Sequence, residues 1–173
     1  MAGLLVGQHG QMGITTRRVR PDDAELLKRV RLAALKDTPS AFASTYEAES
    51  GNSDRRWVEL ATERSAGTDH ATFFAVDDKE VIGLVGGHRV GTNAVELVSM
   101  WTSPAARGRG VGAALVDVVV GWAENDTIEL WVMRGNAAAQ RLYERCGFAE
   151  TGDFQPLPSD PCKDETRMRR PSQ

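Results

Sequence analysis

Cysteine is scarce in this chain. Its 173 residues hold two, Cys146 and Cys162, too few for a disulfide framework and not spaced as a CxxC pair. No His/Cys cluster stands at metal-ligand spacing. Both thiols are therefore expected to be reduced, in a cytoplasmic protein that binds no metal. Long apolar runs are missing too. None approaches the roughly 20 residues that a membrane span needs, so no membrane partner is expected. Residues 1–13 lack the basic start of a signal peptide. They are expected to be a disordered extension without function, with Met12 as an alternative start, ahead of one domain over residues 14–173. There is no internal repeat and no low-complexity stretch. Charge of one sign is also weak: the formal net charge is -3. That argues against a nucleic-acid partner, which calls for a clustered basic face. It suits a cationic amine substrate without proving one.

What is present is ordinary in bulk. Apolar residues make up 41% and charged residues 26%, the balance of a soluble globular domain. A chain of this length buries roughly 70% of the surface it exposes unfolded, so it needs no staples. Periodicity predicts a short strand at 14–19 and a helix opened by Pro21-Asp22-Asp23 and running to about Lys36. A polar stretch follows at 40–52, then a helix at about 53–65. Strands are predicted at 72–76 and 81–89 as a hairpin, and at 94–102. A well-buried helix is predicted at 111–124, a strand at 127–133, a helix at 136–146, and strands at 148–154 and 165–170. Pro156, Pro158 and Pro161 are expected to make the last connection a loop. The order is βααβββαβαββ, one mixed α/β (α+β) domain.

The most informative stretch is Arg107-Gly108-Arg109-Gly110-Val111-Gly112. It follows a strand and opens a helix. Helix N-termini have unpaired N–H groups and a positive dipole end, which together bind phosphate. Glycines let backbone approach an anion, and two arginines add charge. Three readings compete: a solvated glycine-rich loop, a dinucleotide loop, and a pyrophosphate cradle. The dinucleotide fingerprint needs G-x-G-x-x-G directly after a strand. Here the third glycine is wrongly spaced and Thr102 to Ala106 intervene. A Walker loop would need Gly-Lys-Ser/Thr, which is absent.

The second signal is the run from Gly135-Asn136-Ala137-Ala138-Ala139 through Leu142-Tyr143 to Gly147-Phe148. Asn136 suits an N-cap, and Gly147 suits the left-handed position after a helix. Asn136, Ala139 and Tyr143 share one helix face, where Ala139 lets a ligand lie close. Taken alone, Tyr143 reads more readily as a core residue and Asn136 as a plain cap.

Together these two runs resemble the GNAT superfamily of N-acetyltransferases. Arg107, Gly110 and Gly112 match its acyl-CoA signature (Gln/Arg-x-x-Gly-x-Gly/Ala). The helix from Asn136 to Phe148 resembles its Asn-x-x-Ala-x-x-Leu-Tyr-x-x-x-Gly-Phe motif. The resemblance covers about residues 94–154; the N-terminal half matches in element order only. It implies a central sheet splayed between the strands at 94–102 and 127–133. It also implies acetyl-CoA as co-substrate, and an acyltransferase of groups other than aminoacyl groups. Its pantetheine would pair with backbone at Met100, Trp101 and Thr102. Its pyrophosphate would sit on N–H groups across Arg107, Gly108, Arg109, Gly110, Val111 and Gly112, with Asn136 and Ala139 at the cleft. Tyr143 would be the general acid for the thiolate, with a phenol pKa near 10. A backbone N–H of Met100 or Trp101 would stabilise the oxyanion. Homodimers are common in the family.

Glu96 is the candidate base. It is an acid in the apolar strand Val95-Glu96-Leu97-Val98-Ser99-Met100-Trp101, and alternation assigns it to the face of Val98 and Met100. Burial there would raise its pKa toward a useful value; the competing reading is a solvent-facing glutamate. His88 and Glu129 are reserves. Cys146, at a helix end with no base nearby in sequence, is expected to be structural. The acceptor pocket is expected from residues 36–57 and 154–164. Phe42, Tyr46, Trp57 and Phe154 are its candidate walls, and Glu47, Glu49, Asp153 and Asp160 its candidate acids. The favoured acceptor is a small-molecule amine, with a protein N-terminus or lysine as the alternative. The rival reading from another class is a non-catalytic acyl-CoA sensor. A nucleotide-binding oxidoreductase is disfavoured by the glycine spacing.

Overall fold

A computed structural model of the chain describes residues 13–172. The expected extension over residues 1–13 thus lies, Gly13 apart, outside the described residues. Strand β1 (Thr15–Arg18) leads into helices α1 (Ala24–Asp37), α2 (Tyr46–Ser50) and α3 (Asp54–Ala66). Strands β2 (His70–Asp77), β3 (Glu80–Arg89) and β4 (Ala94–Thr102) follow. Then come α4 (Val111–Ala123), β5 (Thr127–Met133), α5 (Ala137–Arg145), β6 (Ala149–Leu157) and β7 (Asp160–Arg170). The seven strands form one sheet in the order β1-β2-β3-β4-β5-β7-β6. Every neighbouring pair is antiparallel except β4 and β5.

The strand sequences reflect what covers them. In β2, Ala71, Phe73 and Ala75 face one core cluster and Phe74 the other. Both faces are covered, so the run is almost continuously apolar. In β5, Ile128, Leu130 and Val132 are buried, while Glu129, Trp131 and Met133 are half-buried. Here only one face is packed, and the strand alternates. The helices divide accordingly. Helix α4 lies on the cluster that holds Val95, Leu115 and Ile128. Helices α1 and α3 lie on the cluster that holds Leu27, Trp57 and Phe74. That second cluster takes no residue from β5 or β7, so the sheet there remains open for a site.

Two local expectations are corrected. The stretch at 40–52 contains α2, a five-residue helix capped by Thr45, whose Oγ1 accepts from the Ala48 N–H at 3.2 Å. It is too short to print a helical period. The element order is therefore βαααβββαβαββ. The expected proline loop is a hairpin, with β6 running to Leu157 and β7 starting at Asp160. Strand β6 is at the sheet edge, where Pro156 need not donate a hydrogen bond. A register shift between Pro156 and Leu157 accommodates the turn.

Candidate active site

The site begins with an irregularity in β4. Gly86 pairs with Val98 and Leu84 with Trp101, so β4 uses one more residue than β3 over the same span. The bulge centres on Ser99, which has φ 59°, a costly conformation for a residue with a side chain. The extra residue resets the alternation. Met100 packs with Val95 and Leu97 beneath α4, whereas Trp101 packs beneath α1. Met100 is thus not on the face of Glu96, contrary to the alternation read from sequence. Strands β4 and β5 pair only at Ala94↔Thr127, Val95↔Ile128 and Glu96↔Glu129. Past Glu96 they part, and the β5-facing edge of β4 is unpaired at Met100, Trp101 and Thr102.

Beyond that edge lies the glycine loop. Gly108 and Gly110 have φ 76° and 85°. Gly110 is the N-cap of α4 and provides no side-chain bond, so the first N–H groups of the helix are uncapped by side chain. A cavity of about 690 Å³ opens there. Its walls include Thr102, Arg107, Gly108, Gly110 and Gly112 on one side, and Asn136, Ala139 and Arg145 on the other. A Cβ on Gly112 would lie 2.8 Å from Leu142 Cδ2, so glycine permits the close approach of α4 and α5. The arginines are already engaged. Arg107 donates to the Thr102 carbonyl at 3.2 Å and ion-pairs with Asp37. Asp37 also accepts from Trp101 Nε1 at 2.9 Å. Arg109 pairs with Asp77 at 2.6 Å, and its side chain forms no part of the cavity wall. Arg145, which sequence reasoning passed over, does line it.

Helix α5 is capped at both ends. Asn136 accepts from the Ala139 N–H at 3.2 Å. At the other end Gly147 is left-handed, with φ 88°. Gly147 N–H donates to the Glu144 carbonyl and Phe148 N–H to that of Tyr143, both at 3.0 Å. This is a Schellman closure. The Phe148 ring meets Tyr143 edge-on at 5.7 Å and holds the phenol in place. Tyr143 is 5% exposed and lines the cleft between β4 and β5. Burial, helped by Cys146, pushes its pKa far above the ordinary phenol value. The ordinary value of about 10 applies to an exposed phenol; the enclosure of Tyr143 raises it. Burial also pushes the Cys146 thiol up, which agrees with a structural cysteine.

On the opposite face is a cavity of about 390 Å³, walled by Arg31, Phe42, Glu96, Trp131, Gln155 and Glu165 among others. Glu96 is partly buried, and its Oε2 lies 3.3 Å from His88 Nε2. His88 stacks on His70 at 5.7 Å. Glu129 is committed to ion pairs with Arg167 and Arg169, which removes it as a reserve base. Sequence reasoning missed Glu165. Its carboxyl is pushed up by burial and by the charge of Glu96, against a bond from Gln155. In the polar run Asp164-Glu165-Thr166-Arg167, nothing in sequence marks it out.

The expected acceptor walls divide. Phe42 lines the cavity. Trp57 is core, 2% exposed. Tyr46 lies under Lys36, 4.4 Å from its ammonium. Phe154 is exposed on the edge strand. The expected acids are mostly tied up: Glu49 to Arg31 and Asp160 to Lys163, with Asp153 lying 3.7 Å from Arg167. The three spaces are contiguous. Ala41, Met100, Asn136 and Ala139 line both the loop cavity and the cleft. Leu97, Val98, Ser99, Trp131 and Glu165 line both the cleft and the cavity of Glu96. The three spaces thus adjoin one another at the splay. Among the described residues no group of three or more His, Cys, Asp and Glu is arranged to hold a metal. No helix among them is long and apolar enough to cross a membrane.

Comparison with known proteins agrees with this architecture. The chain is 27% identical over 127 residues to an N-alpha-acetyltransferase, RimI, of Mycobacterium tuberculosis, covering 71% of this chain and 80% of that one. It is 35% identical over 81 residues to the N-acetyltransferase YobR of Bacillus subtilis. That match covers 45% of this chain but spans only 33% of the Bacillus protein. Among solved structures, the PaiA N-acetyltransferase of Thermoplasma acidophilum, in complex with coenzyme A, superposes with a TM-score of 0.73. That pair has 18% identity and covers 92% of this chain and 99% of the other. The spermidine N-acetyltransferase of Vibrio cholerae, with CoA and spermine, has a TM-score of 0.72 at 22% identity, covering 90% and 94%. The model of the acetyltransferase (GNAT) family matches residues 32–148, more than half of the chain, and the chain belongs to that family.

Proposed function

We propose that the protein transfers the acetyl group of acetyl-CoA to a primary amine, by direct attack in a ternary complex. One observation carries this reading: a glycine-loop cavity and an acidic cavity both adjoin the cleft that Tyr143 lines. The N–H groups at the start of α4 would hold the pyrophosphate. The unpaired edge of β4 would bond the pantetheine amides as a neighbouring strand does, with Asn136 and Ala139 as the facing wall. The thioester then lies in the cleft, and the amine enters from the face of Glu96.

An alkyl ammonium has a pKa of ~10.4 and must lose a proton before it can attack. It gives that proton to the carboxylate side of the cleft, where Glu96 is the sequence candidate. The amine nitrogen forms its bond to the acetyl carbon, and a Met100 or Trp101 N–H supports the oxyanion. As the C–S bond breaks, Tyr143 donates to the leaving sulfur. The thiolate leaves in the same buried cleft that raises the phenol, so both anions meet the same desolvation. Of the ammonium's three protons, one stays on the amide. A second balances the one taken by the thiol through Tyr143, and the third goes to solvent.

A small-molecule amine suits the size of the acceptor cavity, about 390 Å³. A protein N-terminus is the second reading, supported by the similarity to the Mycobacterium N-alpha-acetyltransferase. The first test is calorimetric titration with acetyl-CoA, with NAD as control. Micromolar binding of acetyl-CoA alone supports the reading and leads to an amine screen by free-thiol release. No binding would overturn it.

A further inference from the structure

Tyr143 and Glu165 are the two ionisable side chains among the described residues that line the cleft where β4 and β5 part. Glu96 lines only the wider cavity behind it. Glu165 reaches the cleft from β7, where it sits opposite Met133 of β5. It is 8% exposed. Among the described residues its one hydrogen bond comes from Gln155 Nε2 to Oε1, at 2.7 Å. Oε2 is left for a ligand. Oε2 is not among the enclosed unpartnered polar atoms, so it is open to the cleft, where an ammonium can reach it.

We propose that Glu165 is the carboxylate that contacts the acceptor's ammonium group and takes its proton, on the opposite side of the cleft from Tyr143. This rests on the acetyltransferase reading and revises the identity of the base within it. The step is R–NH3⁺ plus the Glu165 carboxylate giving R–NH2 plus the Glu165 carboxylic acid. The neutral amine then attacks, and the proton passes to solvent after product leaves. Glu96 lines the adjoining cavity together with Glu165, with His88 at 3.3 Å. It attracts the cation and disfavours ionisation of Glu165. That arrangement suits a base, which needs a pKa raised toward the working pH. The other charged groups nearby have partners of their own, although Arg167 keeps an unpartnered Nε. Arg31 from α1 is bonded to Glu49, and Arg167 from β7 to Glu129. Two carboxylates also repel an acceptor with its own carboxylate beside the nitrogen.

Carboxyl NMR titration of the protein labelled at glutamate tests this without a known acceptor. Glu165, assigned by its loss in Glu165→Gln, should titrate above the ordinary glutamate range. Its midpoint should fall by about half a pH unit or more in Glu96→Gln. It should fall again when ethylammonium chloride replaces sodium chloride at equal ionic strength. An ordinary midpoint, indifference to Glu96→Gln or indifference to ethylammonium would each overturn the proposal. Glutamine can still accept from Gln155, so Glu165→Gln should fold, and its melting temperature checks that. Acetyl-CoA titration of the same samples separates the two readings. If acetyl-CoA binds while Glu165 ignores ethylammonium, only the assignment of the base fails. With any amine found by thiol release, Glu165→Gln should cut kcat about 100-fold or more at unchanged acetyl-CoA affinity. Full turnover in that variant would also sink the assignment.

Discussion

Arg31 of α1 donates from Nη1 to Ser99 Oγ at 2.9 Å, and so joins the helical layer to the bulge that opens β4 from β5. The same guanidinium grips Glu49 with two bonds, at 2.9 and 2.7 Å, and lies 4.7 Å from the Phe42 ring centre. Ser99 holds a left-handed conformation with little help from its own residue type. Arg31 thus positions the bulge, and the bulge positions the cleft.

Replacing Arg31 with Ala should therefore affect both stability and function. The Arg31 and Glu49 side chains are 12% and 18% exposed, so the remaining carboxylate would be enclosed and unpaired. The expected loss is about 3 kcal/mol in denaturant unfolding. Arg31→Ala with Glu49→Gln should recover part of that loss, since no lone charge is left. Cleft geometry should not recover, because Ser99 still lacks its partner. Full recovery of turnover in the double variant would argue against the positioning role.

Tyr143→Phe removes one oxygen and keeps the ring against Phe148. Turnover should fall about 100-fold or more, while acetyl-CoA affinity in calorimetry stays within about twofold of wild type. Because the phenol is held far above its ordinary pKa by burial, no basic limb in the rate profile of the wild type should be assigned to it. A limb between pH 9 and 10 that vanished in Tyr143→Phe would contradict this.

The parts of this site that were legible in sequence have local causes. Asn136 as a cap, Gly147 as a left-handed stop and Gly110 at the opening of α4 depend on backbone preferences within a few residues. The splay did not show itself locally. Val95-Glu96-Leu97-Val98-Ser99-Met100-Trp101 alternates like a plain strand and has no glycine to mark the bulge. The bond that holds the Ser99 side chain comes from Arg31, 68 residues away in sequence. The hairpin from Leu157 to Asp160 was hidden by its prolines: Pro156 is harmless because β6 is an edge, and Pro161 because β7 pairs with β5 only from Glu165 onward. Glu165 owes its raised pKa to burial in the fold and to the charge of Glu96 on β4. In its own strand it is one acid among several.

Asp37 competes for the phosphate loop. It ion-pairs with Arg107 and accepts from Trp101 Nε1, so an incoming pyrophosphate must share or displace that carboxylate. Asp37→Asn keeps an acceptor for the indole and removes the charge. Acetyl-CoA should bind the variant about fivefold more tightly, the scale of one partly exposed ion pair. The gain should shrink as salt rises. Weaker binding in the variant would mean that Asp37 holds Arg107 in its working position.

Asp23 supplies a measurable signature of acid stability. Its carboxylate accepts from Arg17 at 2.6 and 2.9 Å and from the Arg20 N–H at 2.7 Å. The Arg17 bond holds its pKa below the ordinary aspartate value, against the effect of burial. A carboxyl whose pKa is lower in the folded state stabilises the fold above the unfolded pKa of ~3.9. That stabilisation disappears as pH falls through the folded value. Asp23→Asn should therefore lose about 1–2 kcal/mol at pH 7. The difference from wild type should narrow steadily below pH ~4. Urea unfolding of both proteins from pH 7 to pH 3 measures this directly. A gap that stayed constant across that range would assign the loss to packing at the start of α1 rather than to the charge.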